Sequence, residues 1–307
     1  MWSQHIPFEG RDDDQPSGYT FLRLDRRSDS GRSREGHGGL GRLRVPADRA
    51  GLSAAREVRP RPACEARAGA GPRHRGHDGA AGLGRRLQRG RRRREGGEEL
   101  LASAVAAVRD IGGSKLGGIL YSAHTKYGTM PSDRGRRNSV AAIARTAEVA
   151  KSAGVDLVLE VVNRFETNLL NTTAQGLEFI AATGSDHVRL HLDTFHMNIE
   201  EANPAAAIRL AGDKLGYFHI GESNRGYLGD GVIDFAGIFD ALLDIGYERD
   251  VTFESFSGAV VDESLSLACA IWRDTWTESL PLARHAKAFI DLKVDEAARR
   301  RATNARP

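Results

Sequence analysis

HLDTFHMNIEE, residues 191–201, closes an apolar run with Asp193 and sets His196 three residues further on. A carboxylate and an imidazole placed where a strand stops either cap the connection or belong to a site. Their neighbours along the chain favour a site. Glu160 lies in VDLVLEVV, His219 stands near the end of KLGYFHIG, and Glu254 follows DVTF. Four acidic or imidazole residues therefore mark the ends of four strand-like runs. They are separated by 33, 26 and 35 residues, each close to the length of one βα unit.

The stretches between these runs have helical periodicity. EELLASAVAAVRDIG (98–112) precedes the short apolar run LGGILYS (116–122), and VAAIARTAEVAKSAG (140–154) ends on Gly154, a helix stop. TAQGLEFIAATG, PAAAIRLAG with Pro204 in its first turn, and FAGIFDALLDIG follow in alternation with the strands. SLACAIWRDTW and LPLARHAKAFIDLKV read as closing helices, with Trp272 and Trp276 four apart on the first, and AARRRATNARP reads as a frayed end. Strand–helix alternation predicts a parallel sheet with helical crossovers. A (β/α)8 TIM barrel would bring all strand ends to one face, where such barrels keep their active sites. A doubly wound sheet would alternate too, but no Gly-rich nucleotide fingerprint follows an early strand, so neither that fold nor a nucleotide cofactor is expected.

Composition sets outer bounds. The chain has 307 residues, 40% of them hydrophobic, enough for one large barrel or two smaller domains. Two cysteines, Cys64 and Cys269, do not make a disulfide framework and suit a reducing compartment. No apolar stretch approaches the roughly 18 residues of a membrane span, and MWSQHIPFEGRDDD lacks the basic start and apolar centre of a signal peptide. A cytoplasmic location is expected.

Residues 1–95 do not follow the plan. They hold 22 arginines, no lysine and 12 acids, whereas the remainder carries 22 basic residues against 29 acids. A basic arm on an acidic body can bind nucleic acid, but a selected basic surface normally uses lysine as well. The segment has too little apolar alternation to offset chain entropy. Its Arg, Gly, Ala and Pro enrichment is what a GC-rich gene yields when translated out of frame. Three further βα units would need about 90 residues, the length of this segment. It is therefore read as an out-of-frame stretch where the first three βα units are missing or scrambled, with a disordered extension as the alternative. Residues 96–290 are read as five βα units carrying the site, and 291–307 as a C-terminal tail.

Glu160, Asp193, His219 and Glu254 together offer three hard oxygen ligands and one nitrogen. That mixture suits Mn²⁺, Mg²⁺ or Co²⁺ better than a thiolate-rich zinc site. Glu166, His196 and Arg225 lie three to six residues beyond these positions and would line the same rim. Glu166 and Arg225 would grip hydroxyls, and His196 would donate to a developing oxyanion.

LEVVNRFE, HLDTFHMNIEE, HIGESNRGYLGDG, FESFS and IWRDTW resemble the ketose 3-epimerase family, whose members include D-tagatose, D-allulose and L-ribulose 3-epimerases on a xylose-isomerase-like barrel. The resemblance runs from about residue 96 to about 290. It implies that Glu160, Asp193, His219 and Glu254 bind a divalent metal, Mn²⁺ first with Co²⁺ or Mg²⁺ as alternatives. It also implies that Glu160 and Glu254 form the acid/base pair, and that Glu166, His196 and Arg225 contact substrate. A homodimer or homotetramer is implied as well. The family's first three strands, which line its sugar pocket, have no counterpart in residues 1–95.

Three other readings compete. An aldose–ketose or hydroxypyruvate isomerase would share the metal and the enediolate, but HLDTFHMNIEE and ESNRGYLGDG favour the epimerase. A multi-zinc nuclease would need further His and Asp ligands, and His5, His37, His74 and His77 lie in no strand-like context. A barrel lacking three strands would leave open sheet edges and favour an inactive product.

Overall fold

The computed structural model of the chain describes residues 22–24, as backbone, and 96–304. The elements run β1 (Leu22–Leu24), α1 (96–110), β2 (Lys115–Gly118), α2 (Asp133–Ala153), β3 (Asp156–Glu160), α3 (Thr173–Thr183), β4 (Val188–Asp193), α4 (Thr194–Glu200), α5 (Pro204–Ala211), β5 (Leu215–Ile220), α6 (Phe235–Asp244), β6 (Val251–Phe253), α7 (Glu263–Cys269) and α8 (Ser279–Asn304). The sheet order is β1-β6-β5-β4-β3-β2, and β2 to β6 are parallel in chain order. These five parallel strands, with the helices between them, form an arc of the barrel. Residues 1–95 lie outside the described part except for β1, whose backbone pairs antiparallel with β6 (Leu22 opposite Phe253).

Strand alternation sorts the side chains. Leu157, Leu159, Leu190, Leu192, Phe218 and Ile220 join the apolar core together with Phe179, Ile208, Ile238 and Ile290 of the helices. The intervening Val158, Glu160, His191, Asp193, Tyr217 and His219 turn to the opposite, inner face, because successive strand residues alternate. The register slips at Leu190/His191, after which Asp193 faces His219 directly across β4 and β5. Asp250, Thr252 and Glu254 continue the inner face at β6, where Tyr217 and Thr252 share a hydroxyl hydrogen bond of 2.7 Å.

The helices begin and end where local chemistry dictates. Thr172 and Gln175 form a capping box at α3, Asn203 caps α5 with Pro204 in its first turn, and Gly154 ends α2 at φ 69°. Two expectations are corrected. SLACAIWRDTW is not one helix: α7 stops at Cys269, and Ala270 turns left-handed at φ 54°. Trp276 is then buried, with Nε1 donating to Ser255 Oγ at 2.8 Å, while Trp272 is 69% exposed. The frayed tail is instead the continuation of α8 to Asn304. Val294 and Ala297 are buried, and Arg300 pairs with Asp240 of α6 at 2.9 Å.

Candidate active site

The four strand-end residues stand on four neighbouring strands at one end of the sheet. Glu160 is the last residue of β3 and Asp193 the last of β4; His219 is the penultimate residue of β5, and Glu254 directly follows β6. Among the described residues, three overlapping triads have candidate ligand atoms within 4.8 Å of one another: Asp193–His219–Glu254, Glu160–Asp193–His196 and Glu160–His191–His219. All four expected ligands therefore fall into one cluster.

Asp193 answers both readings of its motif. Oδ1 accepts the Phe195 N–H at 2.8 Å and caps α4, while Oδ2 turns inward to the Arg225 guanidinium at 2.8 Å. The same Arg225 nitrogen lies 2.8 Å from Glu254 Oε2. Its guanidinium is flanked by the faces of Phe195 (4.0 Å) and Phe256 (5.0 Å), a cation–π arrangement. Arg225 adopts φ 60°, which an ordinary side chain takes only under constraint. A side chain at Gly221 would approach that guanidinium to 2.7 Å, so glycine makes room for it. Burial, the largest influence, would raise the Asp193 carboxyl, but Arg225, His196, His219 and the Phe195 N–H together reverse this and hold it far below the usual range. Burial likewise opposes the charge on Arg225, which Asp193 and Glu254 restore and strengthen.

His196 is buried with its two nitrogens in different surroundings. Nδ1 lies 2.9 Å from Asn163 Nδ2 and accepts the Asn163 backbone N–H at 3.3 Å. With Nδ1 accepting, the proton sits on Nε2, which points to Glu160 Oε1 (3.7 Å) and Asp193 Oδ2 (4.0 Å). Burial lowers the His196 pKa and keeps the ring neutral. Asn163 Nδ2 also donates to Glu166 Oε1 at 2.9 Å, and His124 Nε2 lies 3.2 Å from Glu166 Oε2. Burial alone would raise Glu166, but the hydrogen bonds from His124 and Asn163, with the neighbouring imidazoles, together hold it below the usual range. The seven expected site residues are thus brought together, on the strand ends and the loops immediately beyond them.

Three carboxylates in one buried cluster need a counter-charge. Burial, then the Glu254 and Asp193 charges, raise the Glu160 carboxyl well above its ordinary value, and Arg225 offsets only part of this. A divalent cation fits such a donor set: it would remove the mutual repulsion and use the lone pairs that point inward.

A family-wide sequence profile, described as the xylose isomerase-like TIM barrel, matches residues 87–281. The L-ribulose 3-epimerase of Mesorhizobium japonicum is 58% identical over 204 residues, covering 66% of this chain and 69% of that protein. A solved L-ribulose 3-epimerase superposes with a TM-score of 0.67 at 56% identity, over 68% of this chain and 71% of that one. The D-allulose 3-epimerase of Methylomonas sp., solved in complex with D-allulose, gives 0.63 at 48% identity, over 64% and 68%. This chain belongs to the ketose 3-epimerase family of xylose isomerase-like barrels. The family is one of isomerase-type enzymes, and the barrel class read from the βα spacing is the one its profile describes.

Sequence reasoning passed over four residues of the candidate site in this ketose 3-epimerase family member. His191 is buried on the inner face, and the period-two relation to Asp193 was its signal. Asn163 fixes His196, and only its place between Glu160 and Glu166 hinted at it. Glu222, with no exposed surface, accepts the Ser223 and Gly229 N–H groups at 2.7 and 2.9 Å and so shapes the loop that carries Arg225. His124 reaches Glu166 from the loop after β2, a contact that no local pattern announces.

Proposed function

We propose that this chain inverts C3 of a free ketose by proton exchange through an enediolate, with the help of a divalent cation. What supports this most is the order of four side chains on consecutive strands: Glu254, His219, Asp193 and Glu160. In this reading those four residues hold the ion, Mn²⁺ first with Co²⁺ and Mg²⁺ as alternatives, since three carboxylates and one imidazole form a mostly hard donor set. When bound, the ion supplies Lewis-acid stabilisation of negative charge on the substrate's oxygens.

The chain's own groups do the rest. Glu160 and Glu254 flank the Asp193–His219 pair in the sheet. One carboxylate takes the C3 proton while the C–H electron pair moves through C2 onto the carbonyl oxygen. The other returns a proton to the opposite face of C3 and the carbonyl re-forms, so no electrons are gained or lost and no nucleotide is needed. His196 donates Nε2–H to the oxygen that gains charge. Arg225 and Glu166 hold hydroxyls. The reading includes a cytoplasmic homodimer or homotetramer whose partner is a small ketose and not nucleic acid. No helix of the described residues is long and apolar enough to cross a membrane.

The test is deuterium wash-in at C3, followed by proton NMR in D₂O, with L-ribulose, D-allulose, D-fructose and D-tagatose, before and after chelation and Mn²⁺ return. C3 exchange with epimer formation is expected. Exchange at C1 with an aldose product would point instead to an isomerase. Glu160→Gln and Glu254→Gln should each lower the rate by about 10²–10⁴-fold.

A further inference from the structure

His191 is the one residue of the cluster to which nothing so far gives a task. It is 2% exposed, and neither ring nitrogen has a hydrogen-bond partner among the described residues. An imidazole buried in that way loses its hydration with nothing in return, unless something binds there. Its Nδ1 lies 3.8 Å from Glu160 Oε2, and its ring meets the His219 ring edge-on at 4.0 Å. Glu160, His191 and His219 bring ligand atoms within 4.8 Å of one another, as the oxygen-rich triad does.

The geometry points to a second coordination position in this centre, Glu160–His191–His219, that takes imidazole-preferring ions of the Zn²⁺ class. Two imidazoles and one carboxylate, with a water in the fourth place, form a donor set suited to tetrahedral zinc. Asp193–His219–Glu254 with Glu160 offers mainly carboxylate oxygen, which suits Mn²⁺ or Mg²⁺. His219 and Glu160 serve both positions, so filling one empties the other. Zinc therefore does not merely replace the working ion. It occupies Glu160 and His219, which the oxygen-rich position needs alongside Asp193 and Glu254. This inference rests on the proposed function only in taking the oxygen-rich position as the working one.

X-ray absorption of the whole chain, loaded with one equivalent of Zn²⁺ or of Mn²⁺, reads the number of imidazoles directly. Two imidazoles on zinc, at about 2.0–2.1 Å, and one on manganese are the expected result. Metal titration should give one ion per chain in either case, with Zn²⁺ displacing Mn²⁺. His191→Leu and His191→Gln should weaken Zn²⁺ binding at least tenfold and leave Mn²⁺ binding within threefold. A single imidazole on zinc, two ions bound together, or equal losses for both metals would overturn the second position while leaving the epimerase reading intact. A chain that binds neither ion would sink both.

Discussion

Lys115 and Asp250 are ion-paired across the inner face of the sheet, although β3, β4 and β5 lie between β2 and β6. The lysine also lies 5.3 Å from the centre of the Tyr217 ring, which packs on His191 and His219. A flat sheet would hold strands four positions apart much too far from each other for such a contact, since neighbours are spaced about 4.8 Å. The five parallel strands are therefore curved like the barrel they belong to. Lys115→Met should cost about 1–3 kcal/mol, because it leaves a partly buried carboxylate with less compensation. A double-mutant cycle with Asp250→Asn, followed by urea unfolding, should return a coupling of about 1 kcal/mol. Additive losses would mean that the pair does not help to hold the curvature.

Asn163 decides which nitrogen of His196 carries the proton. Asn163→Ala removes the side-chain partner of Nδ1, so the ring can rotate or take the other tautomer. We expect kcat to fall by about 10- to 100-fold, the cost of mispositioning one oxyanion donor, with Mn²⁺ affinity unchanged. Nitrogen-15 NMR of the ring should give an Nε2–H tautomer in the parent chain and a mixture in the variant.

Glu166 should titrate below the ordinary glutamate value of about 4.3, because its hydrogen bonds and the neighbouring imidazoles together outweigh burial. A carboxyl whose folded pKa is depressed adds stability above its unfolded pKa and loses it as pH falls through the folded one. His124→Ala removes the largest favourable contribution and leaves burial, which acts the other way. The Glu166 carboxyl resonance, followed by carbon-13 NMR, should then titrate at higher pH than in the parent, and the acid side of the stability profile should move up with it. An unchanged titration would mean that the His124 contact is not made in solution.

The two tryptophans of IWRDTW should respond oppositely. Trp276 is buried and bonded to Ser255, so Trp276→Ala should destabilise by about 3–5 kcal/mol. Trp272→Ala, at an exposed position, should stay within about 0.5 kcal/mol. Thermal unfolding of the two variants side by side separates them.

The strand ends were legible because strand period, βα spacing and residue type are all local. VDLVLE and HVRLHLD end on a carboxylate, KLGYFHI carries His219 one residue before its end and DVTF is followed by Glu254, and parallel βα order brings such ends to one side. Capping was legible for the same reason at Gly154 and Pro204. At Trp272 and Trp276 the helical spacing misled, because Ala270 turns left-handed and local propensity gave way to the bond between Trp276 and Ser255.

By itself, then, the sequence determined the strand–helix alternation from β2 to β6, the seven candidate residues that the fold brings together and the family the chain belongs to. All of these rest on periodicity and on motifs read within a few residues. Only the tertiary structure decided that Asp193 divides its oxygens between the cap of α4 and Arg225, that Asn163 sets the His196 tautomer, and that His191 faces Glu160. These depend on sheet register and on contacts between residues 32, 33 and 31 positions apart in the chain. Distance along the chain carries no information about direction in space; only the closed packing of β3, β4 and β5 supplies it.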